Sequence, residues 1–435
     1  MYYRGEALDF LNMLHTTGAA PLMRSRIVFS SQIDVERLKA AVLASAQIVP
    51  EIFGHYQADR NRFVVTDQPV NQVIQEVQSP YSPENTDFDF TNSPQLRLFV
   101  IHHGDYDVLQ AFMSHLLTDN RGFKEYLYLL AQAYNYADLT NLHNERRLRP
   151  VITKLQRQFA RPHGHAPIVT GMVKLPHYPG INLRHGGHVM LSSTQFMRVR
   201  RVAKAQDVGI SEAILAAYAK ALQVLTGHTT VTLPCPIDLR RFTTEDANVT
   251  QIANLTVNVF LTIKVDIDAP FSELVNQVHD LLTVERTRVA FLYRLSNLQK
   301  MNHTMPITVM RKMTKRWLPQ PALRYTNFGV VDQERLKFHD LTVVNCVFSG
   351  AFQCSPVMEI AASTFAGTCT LSFNSTGSER DYQLSMKILE NIQAQLLVWA
   401  QADAQVATTD NVTLRHQAQL SQLIGLKYRP QKIPS

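Results

Sequence analysis

Two apolar segments of strand length, QLRLFVIHH (95–103) and DVLQAFMSH (107–115), stand on either side of the turn sequence GDY. Apolar runs of this length around a glycine-containing turn predict a β-hairpin. The next segment, RGFKEYLYLLAQAYNYA (121–137), has the length and apolar repeat of a buried helix. Asp119 or Asn120 is expected to cap it, because a short polar side chain accepts hydrogen bonds from the first free N–H groups. This order of elements is typical of a mixed α/β fold.

Alternating strand and helix signals continue along the rest of the 435 residues. A chain of this length is too long for one small core and predicts two or three structural units. Strands are predicted at 26–30, 62–66, 229–242 and 254–267, with an antiparallel series over 341–373, and helices at 34–50, 193–206, 211–227, 270–288 and 381–401. We expect an α/β protein of two similar-sized lobes, although no sequence repeat relates them.

The boundary between the lobes is expected in RPHGHAPIVTGMVKLPHYPGINLRHGG (161–187), which is rich in Pro, Gly and His. This composition is typical of an irregular connection rather than of a helix or strand. The predicted division is an N-terminal lobe at 1–165, a crossover linker at 166–190 and a C-terminal lobe at 191–435.

The composition is that of a soluble globular protein, with 45% hydrophobic and 18% charged residues. The start, MYYRGEALDF, lacks the pattern of a signal peptide, and no apolar run approaches the roughly 20 residues that span a bilayer. The four cysteines are far apart, without a C-x-x-C pair, and are expected to be reduced. These features predict a cytoplasmic protein without a membrane span.

The net charge of +7 is modest, but basic residues cluster at 145–161, 198–204 and 311–317. Such clusters are most often solvated helix faces. The alternative is an anionic partner, either nucleic acid, a phosphorylated cofactor or an acidic carrier protein. Because neither zinc-finger spacing nor an RNA-binding aromatic signature is present, we do not expect a nucleic-acid partner.

The spacing H-x-x-x-D occurs three times, at His55–Asp59, His103–Asp107 and His115–Asp119. Spacing alone therefore decides nothing, and the surrounding sequence must separate the three. The first pair lies in a polar connection, and the second lies at the hairpin turn. His115, by contrast, ends an apolar strand just before a helix, a position suited to chemistry.

No metal site is expected. His103, Asp105 and Asp107 have the side chains of metal ligands, but they are interpreted as solvated turn residues. The histidines of the linker region, at positions 163, 165, 177 and 185, lack the fixed local spacing of a zinc site.

Four motifs in this order resemble the condensation-domain and chloramphenicol acetyltransferase-like superfamily, which includes stand-alone alcohol acyltransferases. SHLLTDNRG (114–122) matches its H-H-x-x-x-D-G signature, and PCPIDLRRF (234–242) matches a P-x-D-L-R segment. NLTVNVF, from 254, lies where the family has an N-rich strand, and YTNFGVVD (325–332) is similar to an S-N-x-G segment. The resemblance covers essentially the whole chain. It implies two lobes, each a mixed, largely antiparallel sheet with helices, and an active-site tunnel between them.

Two residues depart from the signature. Ser114 replaces the first histidine, a position at which the family tolerates variation. Asn120 replaces the glycine after the aspartate, although Gly122 follows two positions later. Glycine permits a positive φ and a close approach to a ligand, and asparagine is the next most permissive residue. Asn120 therefore leaves two interpretations open. It changes the access of the acceptor or thioester to the site, or the protein is an inactive descendant of the family.

The resemblance implies acyl transfer from a thioester, with His115 as the general base. An imidazole with a reference pKa of about 6.5 is largely neutral at pH 7 and can accept a proton. Asp119 is implied to form a structural ion pair with an arginine, either Arg240 or Arg26. The candidates for stabilising the oxyanion or lining the tunnel are the backbone N–H groups near His115, the residue Ser114 and the residue Asn327.

The implied co-substrate is acyl-CoA or an acyl-phosphopantetheine thioester, with no permanently bound cofactor. The acceptor is a small-molecule alcohol or amine, and alcohol acetyl transfer is the most concrete version. Two alternatives stay open: an amide-forming condensation enzyme with a carrier protein in trans, and a non-catalytic two-lobe binding protein. A monomer is expected, because the family's site lies within one chain.

Overall fold

The computed structural model describes residues 1–14, 21–66, 69–81, 88–159, 172–243, 246–317 and 321–401. The strands are β1 (Tyr2–Arg4), β2 (Leu22–Phe29), β3 (Gly54–Gln57), β4 (Arg62–Val65), β5 (Ile74–Gln78), β6 (Leu96–His102), β7 (Asp107–Ser114), β8 (His143–Asn144), β9 (Leu183–Leu191), β10 (Thr230–Asp238), β11 (Val249–Thr250), β12 (Thr256–Lys264), β13 (Leu323–Val330), β14 (Val343–Ser349), β15 (Gln353–Cys354), β16 (Met358–Phe365) and β17 (Thr368–Gly377). The helices are α1 (Ala7–Leu14), α2 (Val35–Ser45), α3 (Asn120–Tyr134), α4 (Leu148–Gln158), α5 (Ser193–Ala205), α6 (Ile210–Thr226), α7 (Phe271–Arg288), α8 (Phe291–Thr304), α9 (Ile307–Trp317) and α10 (379–401).

The first large sheet has the strand order β14-β2-β7-β6-β5 and is antiparallel except for the β5–β6 pair. β7 lies at its centre, and every residue of this strand is buried. The predicted hairpin is confirmed: His103 N–H donates to the Tyr106 carbonyl at 3.0 Å, and Gly104 has a φ of 86°. α3 packs beside α2 over this sheet, so that the hairpin delivers the chain directly to a buried helix.

One turn residue differs from the prediction. Asp107 is fully buried rather than solvated, because it accepts hydrogen bonds from Ile33 N–H (2.8 Å) and from His102 Nδ1 (2.9 Å). It is a structural residue that ties β6 and β7 to the segment before α2. Among the described residues, no group of three or more histidine, cysteine or acidic side chains is arranged to hold a metal ion.

The second large sheet has the order β13-β16-β17-β15, with β9 also paired to β17. The β16–β17 and β9–β17 pairs are antiparallel, whereas β13–β16 and β15–β17 are parallel. The series at 341–373 is therefore antiparallel only in part. β10 and β12 form a separate antiparallel ribbon, and Pro234 and Pro236 both lie inside β10. A strand with one paired edge accommodates these missing N–H groups.

The predicted linker is partly structured. Its last residues belong to β9, which pairs with β17 along its whole length. His177 contacts Asp381 (3.0 Å), and His185 stacks on Tyr382, whereas His163 and His165 lie outside the described residues. These histidines bind the linker region to the start of α10.

The two hydrophobic cores exchange elements. β14, from the C-terminal half, completes the first sheet by pairing with β2. α1 and α4, from the N-terminal half, pack in the core of the second lobe. Division of the chain at 165 and 191 therefore does not separate two self-contained cores, because pairing between distant segments crosses both boundaries.

No single helix in the described ranges is long and apolar enough to cross a membrane. Only α5 and α6 taken together pass that test of length and composition, and they are bent by 102°.

Candidate functional site

A cavity of about 1290 Å³ lies where the two halves of the chain meet. On one side it is lined by α1, the segment after β7 and the first turn of α3. On the other side it is lined by β10, β12, α8 and β13. A cavity of this size can take a ligand larger than a typical drug molecule. The tunnel that the family resemblance implies stays a prediction.

His115 is half-buried in the wall of this cavity, directly after β7. Its backbone N–H donates to the Pro21 carbonyl at 2.7 Å, which holds the residue against the chain that enters β2. The central strand of a sheet is the most rigid part of a lobe, and it ends at this residue. The sequence therefore positions an imidazole on a fixed support at the junction of the halves.

Two asparagines hold the His115 ring and its backbone. Asn12 Nδ2 lies 3.0 Å from His115 Nδ1, 3.0 Å from the His115 carbonyl and 2.8 Å from Asn254 Oδ1. Asn254 Nδ2 in turn donates to Asp9 Oδ1 (2.7 Å) and to the His115 carbonyl (3.0 Å). The amide orientations follow from these contacts, since Asn254 Nδ2 meets only acceptors and Asn254 Oδ1 therefore faces the Asn12 amino group.

These contacts assign the tautomer of a neutral His115. A hydrogen on Nδ1 would point at the Asn12 amide nitrogen, which accepts no hydrogen bond. Nδ1 therefore carries the lone pair, and Nε2 carries the hydrogen. The resting imidazole presents its N–H at Nε2, with its basic nitrogen occupied by Asn12.

A buried ion pair supports this pair of asparagines. Asp9 accepts from Arg146 Nη2 at 3.0 Å and from Glu6 N–H at 2.9 Å. Burial raises the pKa of Asp9 to about 6, although Arg146 opposes the shift. Arg146 also donates to the Leu117 carbonyl at 2.9 Å. The ion pair therefore holds the segment that carries His115 in two ways, through Arg146 at Leu117 and through Asp9 at Asn254.

Asp119 forms an ion pair with Arg240, whereas Arg26, the other candidate, is exposed on β2. Both Asp119 oxygens lie 3.0 Å from guanidinium nitrogens, and the carboxylate also accepts from the N–H groups of Gly122 (2.9 Å) and Leu255 (2.7 Å). Burial alone would raise the pKa of Asp119, but Arg240 and these donors hold it below its ordinary value. Asp119 is thus also the N-cap of α3 and links it to β12.

Asn120 is the first residue of α3 and does not have a positive φ. Its side chain donates to Thr326 Oγ1 on β13. The conformational argument for glycine at this position therefore does not apply, and asparagine provides a contact between the halves. Gly122, in contrast, has no room for a side chain, because a Cβ there would lie 3.0 Å from the Ala253 nitrogen and closer still to Thr118 Oγ1.

The oxyanion candidates are already engaged. Ser114 is fully buried, does not line the cavity, and accepts from Leu116 N–H at 3.2 Å. Leu117 N–H donates to the Ser114 carbonyl, so the backbone N–H groups of residues 115–117 are all used internally. Asn327 lines the cavity, but it donates to Ser211 Oγ (2.8 Å) and accepts from Gly329 N–H (2.7 Å). It holds the bulge in β13.

The described side chains of the basic clusters singled out in the sequence do not supply the cations of the cavity. No residue of 198–204 lines it, and among the described side chains at 311–314 only Met313 and Thr314 do so. The cavity cations come from other positions, among them Arg294 and Lys300 on α8. Sequence reasoning also missed Asn12 and Glu359, since isolated polar residues in distant segments carry no local pattern. Asn254 begins the NLTVNVF motif, but the motif predicted no role for it at the site.

No protein-family model matches the chain, and no curated protein matches its sequence. Solved structures, however, share its architecture. TRI3 trichothecene 15-O-acetyltransferase from Fusarium sporotrichioides matches with a TM-score of 0.64 at 13% identity, over 92% of this chain and 95% of that one.

Two further structures match to a similar extent. The condensation domain of the Monacolin K polyketide synthase MokA gives a TM-score of 0.63 at 13% identity, over 92% of this chain and 98% of that one. Polyketide synthase associated protein 5 from Mycobacterium tuberculosis gives 0.62 at 15% identity, over 92% and 99%. The chain therefore has the condensation-domain and chloramphenicol acetyltransferase-like fold.

Proposed function

We propose that this protein transfers an acyl group from a thioester donor to an alcohol or an amine, with His115 accepting the proton of the acceptor. The observation that carries the proposal is the position of His115. It is a half-buried imidazole on the end of a central strand, in the wall of a large cavity between the two halves. The similarity of the fold to an acetyltransferase and to condensation domains supports the reaction class.

Acyl transfer requires the acceptor to lose a proton as it attacks the thioester carbonyl. A neutral imidazole does this through its lone pair, without an acylated serine or cysteine. In the resting protein that lone pair lies on Nδ1, against Asn12. The base is therefore available once Asn12 moves away from Nδ1, which frees that lone pair or lets the ring hydrogen move from Nε2 to Nδ1. Asp119 and Arg240 act structurally, by fixing α3 and β12 around the site.

The donor is acyl-CoA or an acyl-phosphopantetheine carried by a protein in trans. Both present the thioester on a long flexible arm with phosphate groups, and the cavity volume of about 1290 Å³ suits such an arm. Arg294 and Lys300 line the cavity, and among the described residues neither forms an ion pair. We assign them to the phosphates. The four free cysteines suit a reducing compartment, and we place the reaction in the cytoplasm.

The test is thiol release from acetyl-CoA and longer acyl-CoAs over matched alcohols and amines. We expect turnover by the wild type and a loss of at least about 100-fold in His115→Ala, the lower range for a general base. His188→Ala is the matched control, because His188 is exposed on β9. Turnover that survives His115→Ala would refute its role. No turnover with any free acyl-CoA would favour a carrier-bound donor or the binding-only alternative.

A further inference from the structure

Glu359 is a carboxylate in the cavity wall that the acyl-transfer chemistry above does not use. It lies on β16, where Arg324 of β13 is its cross-strand partner. Residues paired across neighbouring strands point to the same face of the sheet, and both side chains line the cavity together with His115. The second lobe thus places a carboxylate and a guanidinium side by side in the cavity that also contains the candidate catalytic histidine.

The two charges do not form a direct ion pair. Gln353 separates them: its Nε2 donates to Glu359 Oε2 at 3.1 Å, and its Oε1 accepts from Arg324 Nη1 at 3.4 Å. Arg324 Nε donates to the Pro321 carbonyl at 3.2 Å. Gln353 is buried, so the bridge is part of the sheet rather than a surface contact.

One oxygen of Glu359 is left free. Among the residues that the structure describes, no cation forms an ion pair with this carboxylate, and Oε1 accepts no hydrogen bond. A Cβ on Gly350 would lie 2.5 Å from Oε1, so the glycine makes room for this oxygen in the cavity wall. The other two carboxylates of the cavity lining, Asp119 and Asp238, are both bound to Arg240.

Glu359 is half-buried, and partial burial of a carboxylate without a paired cation is costly, a cost that a ligand recovers when it supplies the cation. Burial raises the pKa of Glu359, while Arg324 and a protonated His115 oppose the shift. Both side chains line the same cavity, so one bound group can face them together. An ammonium group is the complementary partner, because it offers three hydrogens and a positive charge.

We propose that Glu359 is the acceptor-binding residue of this cavity and that the acceptor is an amine, which enters as an ammonium ion. This inference rests on the proposed acyl transfer and selects between the alcohol and the amine. Glu359 holds the ammonium beside His115, and Gln353 keeps Arg324 from neutralising the carboxylate.

The reaction that follows is balanced. The ammonium gives one proton to Glu359, and the neutral amine attacks the thioester carbonyl, so that a C–N bond forms and the C–S bond breaks. A second proton leaves the nitrogen through His115 and reaches the departing thiolate. Glu359 then releases its proton to solvent, and the products are an amide and a thiol.

Hexylamine and hexan-1-ol are suitable probes, because they differ only in the group that meets Glu359. We expect calorimetry at pH 7.5 to show that the amine binds the wild type at least 10-fold more tightly than the alcohol. Glu359→Gln retains the acceptor for Gln353 and should lose this preference, with alcohol binding unchanged. Glu379→Gln, an exposed change on α10, should keep the preference. Equal binding of the two probes to the wild type, or a preference that survives Glu359→Gln, would overturn the inference.

Turnover with acetyl-CoA gives an independent result. A rate for hexylamine at least 10-fold above that for hexan-1-ol, lost in Glu359→Gln, would identify the bound amine as the acceptor. A faster alcohol reaction in the wild type would reject it. Absence of turnover with both compounds would favour a carrier-bound donor or the binding-only alternative for the proposed function. The binding comparison needs no thioester and still decides the role of Glu359.

Discussion

At the scale of single residues, the site is defined more by the partners of His115 than by the motif that contains it. Asn12 and Asn254 come from segments more than one hundred residues away on either side, and together they hold the ring nitrogen and the backbone carbonyl of His115. Because an amide N–H group points at Nδ1, the neutral ring carries its hydrogen on Nε2. This differs from a histidine whose hydrogen is free to exchange between its nitrogens.

The tautomer is directly measurable. In protein labelled with ¹⁵N-histidine, two-bond ¹⁵N–¹H spectra above pH 8 should show an unprotonated Nδ1 and a protonated Nε2 for His115, assigned by comparison with His115→Ala. Asn12→Asp replaces the donor with an acceptor and should move the hydrogen to Nδ1. The spectrum of His188 should not change in this variant. A protonated Nδ1 in the wild type would contradict the assignment.

At the scale of secondary-structure elements, local signals were sufficient where the structure is local. The β6–β7 hairpin, the Asp34 cap of α2 and the end of α6 at Gly227 all follow from neighbouring residues. β9 was hidden within the linker region, because the strand with which it pairs, β17, lies almost two hundred residues later.

The candidate site follows the same division. His115, Asp119 and Arg240 could be named from sequence through short motifs. Asn12 and Glu359 could not be named in this way, since their place in the site depends on how strands and helices from opposite ends of the chain pack together. Asn120 was expected to matter for backbone freedom, and its contact with Thr326 is again a long-range one.

The junction between α3 and β13 depends on one buried lysine. Lys124 Nζ donates to the carbonyls of Phe328 (2.7 Å) and Val330 (2.8 Å), on either side of the positive-φ Gly329. Burial, followed by the charge of Arg121, lowers the pKa of Lys124 to about 8. An unfolded lysine has a pKa of about 10.4, so between these values the folded protein has lost a proton that the unfolded chain retains.

Stability attributable to Lys124 therefore rises with pH across this window, because the unfolded state binds the extra proton. We expect the free energy of unfolding of the wild type, relative to Lys124→Met, to increase by on the order of 1 kcal/mol per unit between pH 8 and about 10.4. Urea unfolding at a series of pH values measures this difference. Lys387→Met, on the exposed face of α10, should show no such trend. A flat difference for Lys124→Met would show that the amine titrates normally.

At the scale of the whole molecule, the exchange of elements makes the two cores interdependent. β14 joins the first sheet and is followed directly by β15 and β16 of the second, while α1 and α4 pack in the second core. A lobe that unfolds must withdraw a strand or a helix from the other one. The cavity that holds His115 and Glu359 lies on this shared boundary, so the site exists only when both cores are intact.

A substitution that destabilises one core should consequently lower the stability of the other. Ile27, on β2, is fully buried in the first core, and Ile27→Ala should lower the free energy of unfolding by about 2–5 kcal/mol. Trp399 lies in the second core against Phe271. In a Trp317→Phe background it is the sole tryptophan and reports that core alone. We expect its fluorescence transition in urea to shift together with the far-UV circular dichroism.

Ile267→Ala, at a position 58% exposed, is the matched control and should shift neither signal. A Trp399 transition that stays at its original urea concentration while the dichroism curve divides into two steps would show that the lobes unfold independently, despite the strand and helices they exchange.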